Sequence, residues 1–129
     1  MISLAGKTAI VTGAARGIGA ACSRAFAEHG AQVVMGDLLE QEVTSSAQSI
    51  SMDTGVDTLA VQMDVSEEAD CEALLASCIE RFGQCDILLN NAGIIAPGSI
   101  LDVSTEDFDR VLAVNLRGSF LLGRAVAKH

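Results

Sequence analysis

Thr12-Gly13-Ala14-Ala15-Arg16-Gly17-Ile18-Gly19 is the stretch on which the fold turns. Upstream of it, Thr8-Ala9-Ile10-Val11 is a short apolar, β-rich run that reads as a buried strand. Downstream, Gly17 to His29 reads as a helix, with Ile18, Cys22, Ala25 and Phe26 at helical spacing and Gly30 as its stop. A glycine-rich turn between strand and helix suits an anion. The glycines let the backbone approach a pyrophosphate without Cβ clashes, and the free N–H groups and dipole of the helix N-terminus face the negative charge. A tight turn with no ligand would use the same glycines; the placement between strand and helix is what favours phosphate. A Walker-type loop does not fit, because Gly6-Lys7-Thr8 precedes the strand and has no glycine five residues before Gly6.

The pattern then repeats. Gln32 to Asp37 reads as a second strand, Leu38 to about Met52 as a surface helix, and Thr58 to Asp64 as a third strand. Ser66 is the expected N-cap of a helix running to about Phe82, with Glu67, Glu68 and Asp70 in its positive first turn and Gly83 as its stop. Asp86 to Asn90 reads as a fourth strand. A loop with Gly93, Pro97 and Gly98 follows, and Ser104-Thr105-Glu106-Asp107 opens the last helix in capping-box style. Continuously apolar strands are covered on both faces, so the sheet is parallel and its crossovers right-handed. The expected fold is α/β: a Rossmann-type doubly wound sheet of about four strands in order 3-2-1-4. Residues 1–129 read as a single domain.

Composition narrows the function. The 129 residues are 50% hydrophobic, which is incompatible with a disordered segment. Eight Lys+Arg against 17 Asp+Glu leave a net charge of −9, which argues against nucleic acid or an anionic membrane surface as partner. No run of 18 apolar residues occurs, and the N-terminus lacks a basic region followed by an apolar stretch. The expected compartment is therefore the cytoplasm. Cys22, Cys71, Cys78 and Cys85 form neither a Cys-x-x-Cys nor a Cys/His cluster, so no metal site is expected and the thiols read as small hydrophobes. The chain contains no Tyr and no Trp.

Asp37 closes the second strand. An acid there accepts hydrogen bonds from both ribose hydroxyls of an adenosine and repels a 2′-phosphate, which selects NAD over NADP. Arg16 in the glycine loop could pair with a 2′-phosphate, but Leu38 and Leu39 follow Asp37 where a second cation would be wanted.

Thr12-Gly13-x-x-x-Gly17-x-Gly19, Asp64-Val65, Asn90-Asn91-Ala92-Gly93 and Val114-Asn115 together resemble the short-chain dehydrogenase/reductase family in order and spacing, over essentially the whole chain. The first of these motifs resembles the standard branch. The resemblance implies a cofactor site made of Gly13, Arg16, Gly17, Ile18, Gly19, Asp37, Asp64, Val65, Asn91, Ala92, Gly93 and Val114, with Asp64 on the adenine amino group. It implies hydride transfer between NAD(H) and a small-molecule alcohol or ketone, and a homo-oligomer whose interface includes the last helix. Asn115 would hold a water in the proton relay of a Ser-Tyr-Lys site. Phe108, Val111, Leu112, Asn115, Ser119 and Leu122 follow steps of three and four, so Asn115 interrupts an apolar face; a structural role, bonding backbone at a helix kink, is compatible with the relay role.

The chain departs from the family where the chemistry should follow: it has no Tyr, and Lys128 is preceded four residues earlier by Arg124. The expectation is the NAD-binding portion of a short-chain oxidoreductase, incomplete at its C-terminus and catalytically incomplete by itself. The alternative is a non-catalytic nucleotide-binding or subunit-interaction module. An S-adenosylmethionine site would also use a Gly-rich turn and an acid after the second strand, but gives Asn90-Asn91-Ala92-Gly93 no place.

Overall fold

The computed structural model describes residues 2–129. Four strands, β1 (Thr8–Thr12), β2 (Gln32–Asp37), β3 (Thr58–Gln62) and β4 (Ile87–Leu89), alternate with helices α1 (Gly17–Glu28), α2 (Glu40–Thr54) and α3 (Glu68–Phe82). After β4 come α4 (Thr105–Leu112), a π-helical turn (Ala113–Arg117) and α5 (Gly118–Lys128). The sheet is parallel throughout, in order β3-β2-β1-β4. This is the expected topology.

Register explains how the two central strands bury both faces. Ile10 pairs with Val34 and Val11 with Met35, and successive side chains point to opposite sides. Ile10 and Val34 join Cys71, Leu74 and Cys78 of α3 and Leu121 and Leu122 of α5 in one core. Val11, Val33 and Met35 join Ala27 of α1 and Val43, Ala47 and Ile50 of α2 in the other. β3 and β4 are the edges and are only half-buried, so coverage on both faces holds for β1 and β2 alone.

Local chemistry sets several of the helix ends, but not the start of α3. Gly55 and Gly83 terminate α2 and α3 in the left-handed conformation, as helix-terminating glycines do. Ser104 caps α4, its Oγ accepting from the Asp107 N–H at 3.1 Å. Ser66 does not cap α3. Its Oγ donates to Asp64 Oδ1 at 2.7 Å and its N–H to the same oxygen at 2.9 Å, and the helix begins two residues later. The carboxylate two residues back competes successfully for the hydroxyl.

At the N-terminal ends of the strands, Asp86 fastens β4 to the start of the chain. Its carboxylate accepts from the Thr8 N–H at 2.9 Å, from Gln84 Nε2 at 2.9 Å and from Lys7 Nζ at 3.4 Å. The Thr8 bond is the largest influence and holds the Asp86 carboxyl below the usual carboxylate range; desolvation opposes it, and Lys7 and Gln84 add to the lowering. A depressed pKa means that the folded state prefers the ionised form. The stabilisation is full above the ordinary carboxylate value of about 4 and is lost as pH falls through the lower folded value. Asp86→Asn is therefore expected to lower the urea midpoint at pH 7 and to leave a shallower acid limb between pH 5 and 2. An unchanged acid limb would show that other carboxylates carry it.

Candidate functional site

The C-terminal ends of all four parallel strands open onto one cleft of about 490 Å³. A crevice at that end of an open sheet, where the order reverses between β1 and β4, is where doubly wound folds bind ligands. Gly13 and Arg16 line it from the turn after β1, Asp37 from the end of β2, Asp64 and Val65 from the segment after β3. Asn91, Ala92 and Gly93 line it after β4, and Val114 lines it from the π-helical turn. The structure thus brings together nine of the twelve residues read as cofactor-binding. The other three, Gly17, Ile18 and Gly19, form the first turn of α1 next to Arg16; Ile18 is exposed.

The floor of the cleft is a knot of hydrogen bonds between β1 and β4. Thr12 Oγ1 accepts from the N–H groups of Asn91 and Ala92 at 3.2 and 3.1 Å. Asn91 Nδ2 donates back to the carbonyls of Thr12 and Gly13, both at 3.2 Å. Gly13, at φ +62°, turns the chain; a Cβ there would stand 2.9 Å from Ala92 Cα. Gly19 lets α1 sit directly on this knot, for a Cβ would fall 2.0 Å from the Gly13 carbonyl oxygen. The first turn of α1 carries no acidic residue, and its N-cap, Arg16, makes no side-chain capping bond. Its N–H groups are left for an anion.

Asp37 is held in place from both sides. Its Oδ2 accepts from the Ala15 N–H and its Oδ1 from the Leu39 N–H, each at 3.0 Å. Each carboxylate oxygen keeps a further lone pair for an incoming hydroxyl. Arg16 Nη1 lies 3.8 Å from Glu42 Oε2, and the side chain is largely in solvent. Asp64 accepts from Ser66, and its own N–H is taken by Asp70 Oδ2 at 2.9 Å.

Asn115 departs from expectation. It is exposed, not buried in an apolar face, and does not line the cleft. Its Oδ1 accepts from the Ile94 N–H at 2.8 Å and its Nδ2 donates to the Ile94 carbonyl at 2.9 Å. The side chain copies one rung of a strand ladder and clamps the loop after β4 onto the π-helical turn. The expected interruption of the helix is therefore real and takes the form of a π turn, a common device at functional sites. Asn90 ties the same strand end to α5 through the Ser119 carbonyl at 3.4 Å.

Several cleft residues lie outside the set read from the sequence as cofactor-binding. Arg110 and Ala113 lie on the cleft side of the last helix, and Leu38, Leu39, Met63, Ser66 and Ile94 complete the walls. Arg110 precedes Val114 by one turn of helix, and that spacing is the one clue that could have placed it. Among the described residues no cluster of His, Cys, Asp and Glu could hold a metal ion, and no helix is long and apolar enough to cross a membrane.

Comparison with known proteins adds an independent line. A family model described as short chain dehydrogenase matches residues 7–129. Versicolorin reductase 1 of Aspergillus parasiticus is 41% identical over 126 residues, which are 98% of this chain and 48% of that protein. Trans-4-hydroxycyclohexanecarboxylate dehydrogenase of Sinomonas cyclohexanicum is 40% identical over 123 residues, covering 92% of this chain and 48% of that protein. Among solved structures, a short chain dehydrogenase/reductase from Burkholderia phymatum in complex with NAD superposes with a TM-score of 0.94 at 32% identity, over 99% of this chain and 45% of that one. The chain spans about half the length of the curated relatives it matches.

Proposed function

The chain belongs to the short-chain dehydrogenase family, and on that premise we propose that it is the NAD-binding portion of an oxidoreductase that moves hydride between NAD(H) and an alcohol or carbonyl carbon. The observation that carries this is the cleft: a glycine turn, an uncapped helix N-terminus and a fixed carboxylate meet at the reversal of strand order. The Burkholderia phymatum relative, superposable over this chain, holds NAD.

Each part has a task in that reading. The N–H groups at the start of α1 hold the pyrophosphate. Asp37 takes the adenosine ribose hydroxyls and disfavours a 2′-phosphate, so NAD is preferred to NADP. Asp64 and Val65, with Val114 across the cleft, border the adenine, and Asn91, Ala92 and Gly93 line the path toward the nicotinamide. When bound, the dinucleotide supplies the hydride acceptor. Asn115 positions the Ile94 segment beside it and has a supporting role. No side chain of the cleft is a phenol, and the 129 residues include no Tyr. Positioned acid–base groups typically contribute about 10²–10⁴-fold to rate. The polypeptide is therefore expected to bind NAD in calorimetry and yet to reduce none detectably with a panel of secondary alcohols. Robust turnover by material whose mass is confirmed as 13.3 kDa would overturn the assignment of roles, and absence of binding would overturn the site.

We also propose that the last helix is an association surface. Phe108, Leu112, Leu116 and Phe120 follow one another at steps of four and are 42–66% exposed. Leu112, Leu116 and Phe120 line an apolar groove with Ala113 and the stems of Asp109 and Arg117. Such a stripe is normally covered. Phe120, Leu121 and Leu122 divide as a helix requires, with the leucines in the core and Phe120 outside. Light scattering coupled to size-exclusion chromatography is expected to show a homo-oligomer at tens of micromolar. A monodisperse 13.3 kDa species would refute it.

A further inference from the structure

Two of the four thiols meet at the end of the sheet opposite the cleft. Cys78, near the end of α3, is fully buried. Cys85, two residues past the Gly83 cap and just before β4, is half-buried and packs on the same apolar cluster as Cys78. The Cys78 thiol points at the residue preceding Cys85, donating to the Gln84 carbonyl at 3.3 Å, and Cys85 Sγ lies 3.6 Å from the Ile87 carbonyl. Both thiols thus border the same Gln84–Ile87 segment. The neighbouring Cys85 thiol first, then burial, raises the Cys78 thiol. The Cys78 thiol first lowers Cys85, helped by Ile87 and opposed by burial and Asp86. Cys85 is the more accessible of the two sulfurs.

We propose that Cys78 and Cys85 form a dithiol that a hydroperoxide converts into an intramolecular disulfide. The Cys85 thiolate attacks a peroxide oxygen; an S–O bond forms as the O–O bond breaks, and the other oxygen takes a proton and leaves as water or alcohol. The Cys78 sulfur then attacks the Cys85 sulfenic acid. An S–S bond forms, the S–O bond breaks, and hydroxide leaves as water with the Cys78 proton. The peroxide gains the two electrons that the thiol pair loses. The remaining cysteines are not comparable. Cys71 is buried, donates to the Val65 carbonyl at 3.3 Å and is pushed up to about 11 by burial and the nearby Asp70 and Asp64. Cys22 lies on α1, which packs on the other face of the sheet.

The test is chemical and does not depend on nucleotide binding. The folded chain is exposed to a small excess of hydrogen peroxide, denatured with iodoacetamide and digested with trypsin without reduction. Arg81 separates the pair: Cys78 lies in the peptide of residues 25–81 and Cys85 in that of residues 82–110. The expected result is loss of two of the four thiols to alkylation, and a linked peptide two hydrogens lighter than its parts. Fragmentation of that peptide must assign the bond to Cys78 and not to Cys71, with no variant needed. In Cys78→Ser the link disappears and dimedone labels Cys85, whereas Cys71→Ser keeps the link. Four alkylated thiols, a bond through Cys22, bonds only between chains, or over-oxidation of Cys85 without a link would each overturn the proposal.

Discussion

Gly19→Ala is expected to cost the fold at least ~3 kcal/mol, the upper part of the range for forcing atoms into a packed site. The added Cβ would stand 2.0 Å from the Gly13 carbonyl oxygen and 2.7 Å from Asn91 Nδ2. Neither neighbour can yield. The carbonyl is backbone in the turn after β1, and the amide already holds the Thr12 and Gly13 carbonyls. Relief requires α1 to lift off the sheet, which opens the core around Ala27, Val33 and Val43. A typical domain has about 5–15 kcal/mol in total, so urea unfolding should show a much lower midpoint or no folded baseline. Gly17→Ala is the internal control. A Cβ there meets open space, but the backbone at φ +59° is left-handed, at a cost of about 1–2 kcal/mol. Equal losses in the two variants would show that α1 does not rest on the β1–β4 knot in the way described.

Asp37→Ser is expected to remove the discrimination between dinucleotides. Unaltered protein should bind NAD roughly 100-fold more tightly than NADP, about 2.7 kcal/mol, since a phosphate dianion would face a fixed carboxylate. Asp37→Ser should bring the two within about tenfold. Asp37 also anchors the glycine turn through the Ala15 N–H and its own loop through the Leu39 N–H. Both affinities will fall when those bonds are lost. The ratio of the two dissociation constants is therefore the quantity to measure by calorimetry, because a loosened turn penalises both ligands alike. NADP binding the unaltered protein as tightly as NAD would refute the role given to Asp37.

The fold was legible where a local pattern and the tertiary environment ask for the same thing. Ala9-Ile10-Val11 and Val33-Val34-Met35 are apolar at every position because both faces of the central strands are covered, and the full burial of these residues agrees. Gly83 and Ser104 are read correctly because cap chemistry is decided within a few residues. Ser66 fails for a reason equally local but ambiguous in one dimension. A serine with an aspartate two residues back and acids ahead can bond either way, and the turn at Asp64 wins. Asn115 was singled out by its break in an apolar series, yet the series itself is mostly outside the core: Phe108 and Leu112 are exposed. A solvent-facing apolar stripe looks the same in sequence as one that faces the sheet. Arg110 was missed because helix position, not residue type, brings it to the cleft.

The bond between the Thr8 N–H and Asp86 closes a loop of 78 residues, and this has a consequence during synthesis. β1 emerges early, and its β2 partner follows soon after. Its other edge waits for β4. At a translation rate of about 5–20 residues per second, that wait is roughly 4–16 s. For that interval a strand that is buried at every position of the finished fold presents an unpaired row of N–H and C=O groups, with Ile10 and Val11 beside it. Polypeptides caught in that state are templates for strand pairing with one another. Yield of soluble protein should then depend on how quickly the ribosome delivers residues 83–92, independently of how stable the finished fold is.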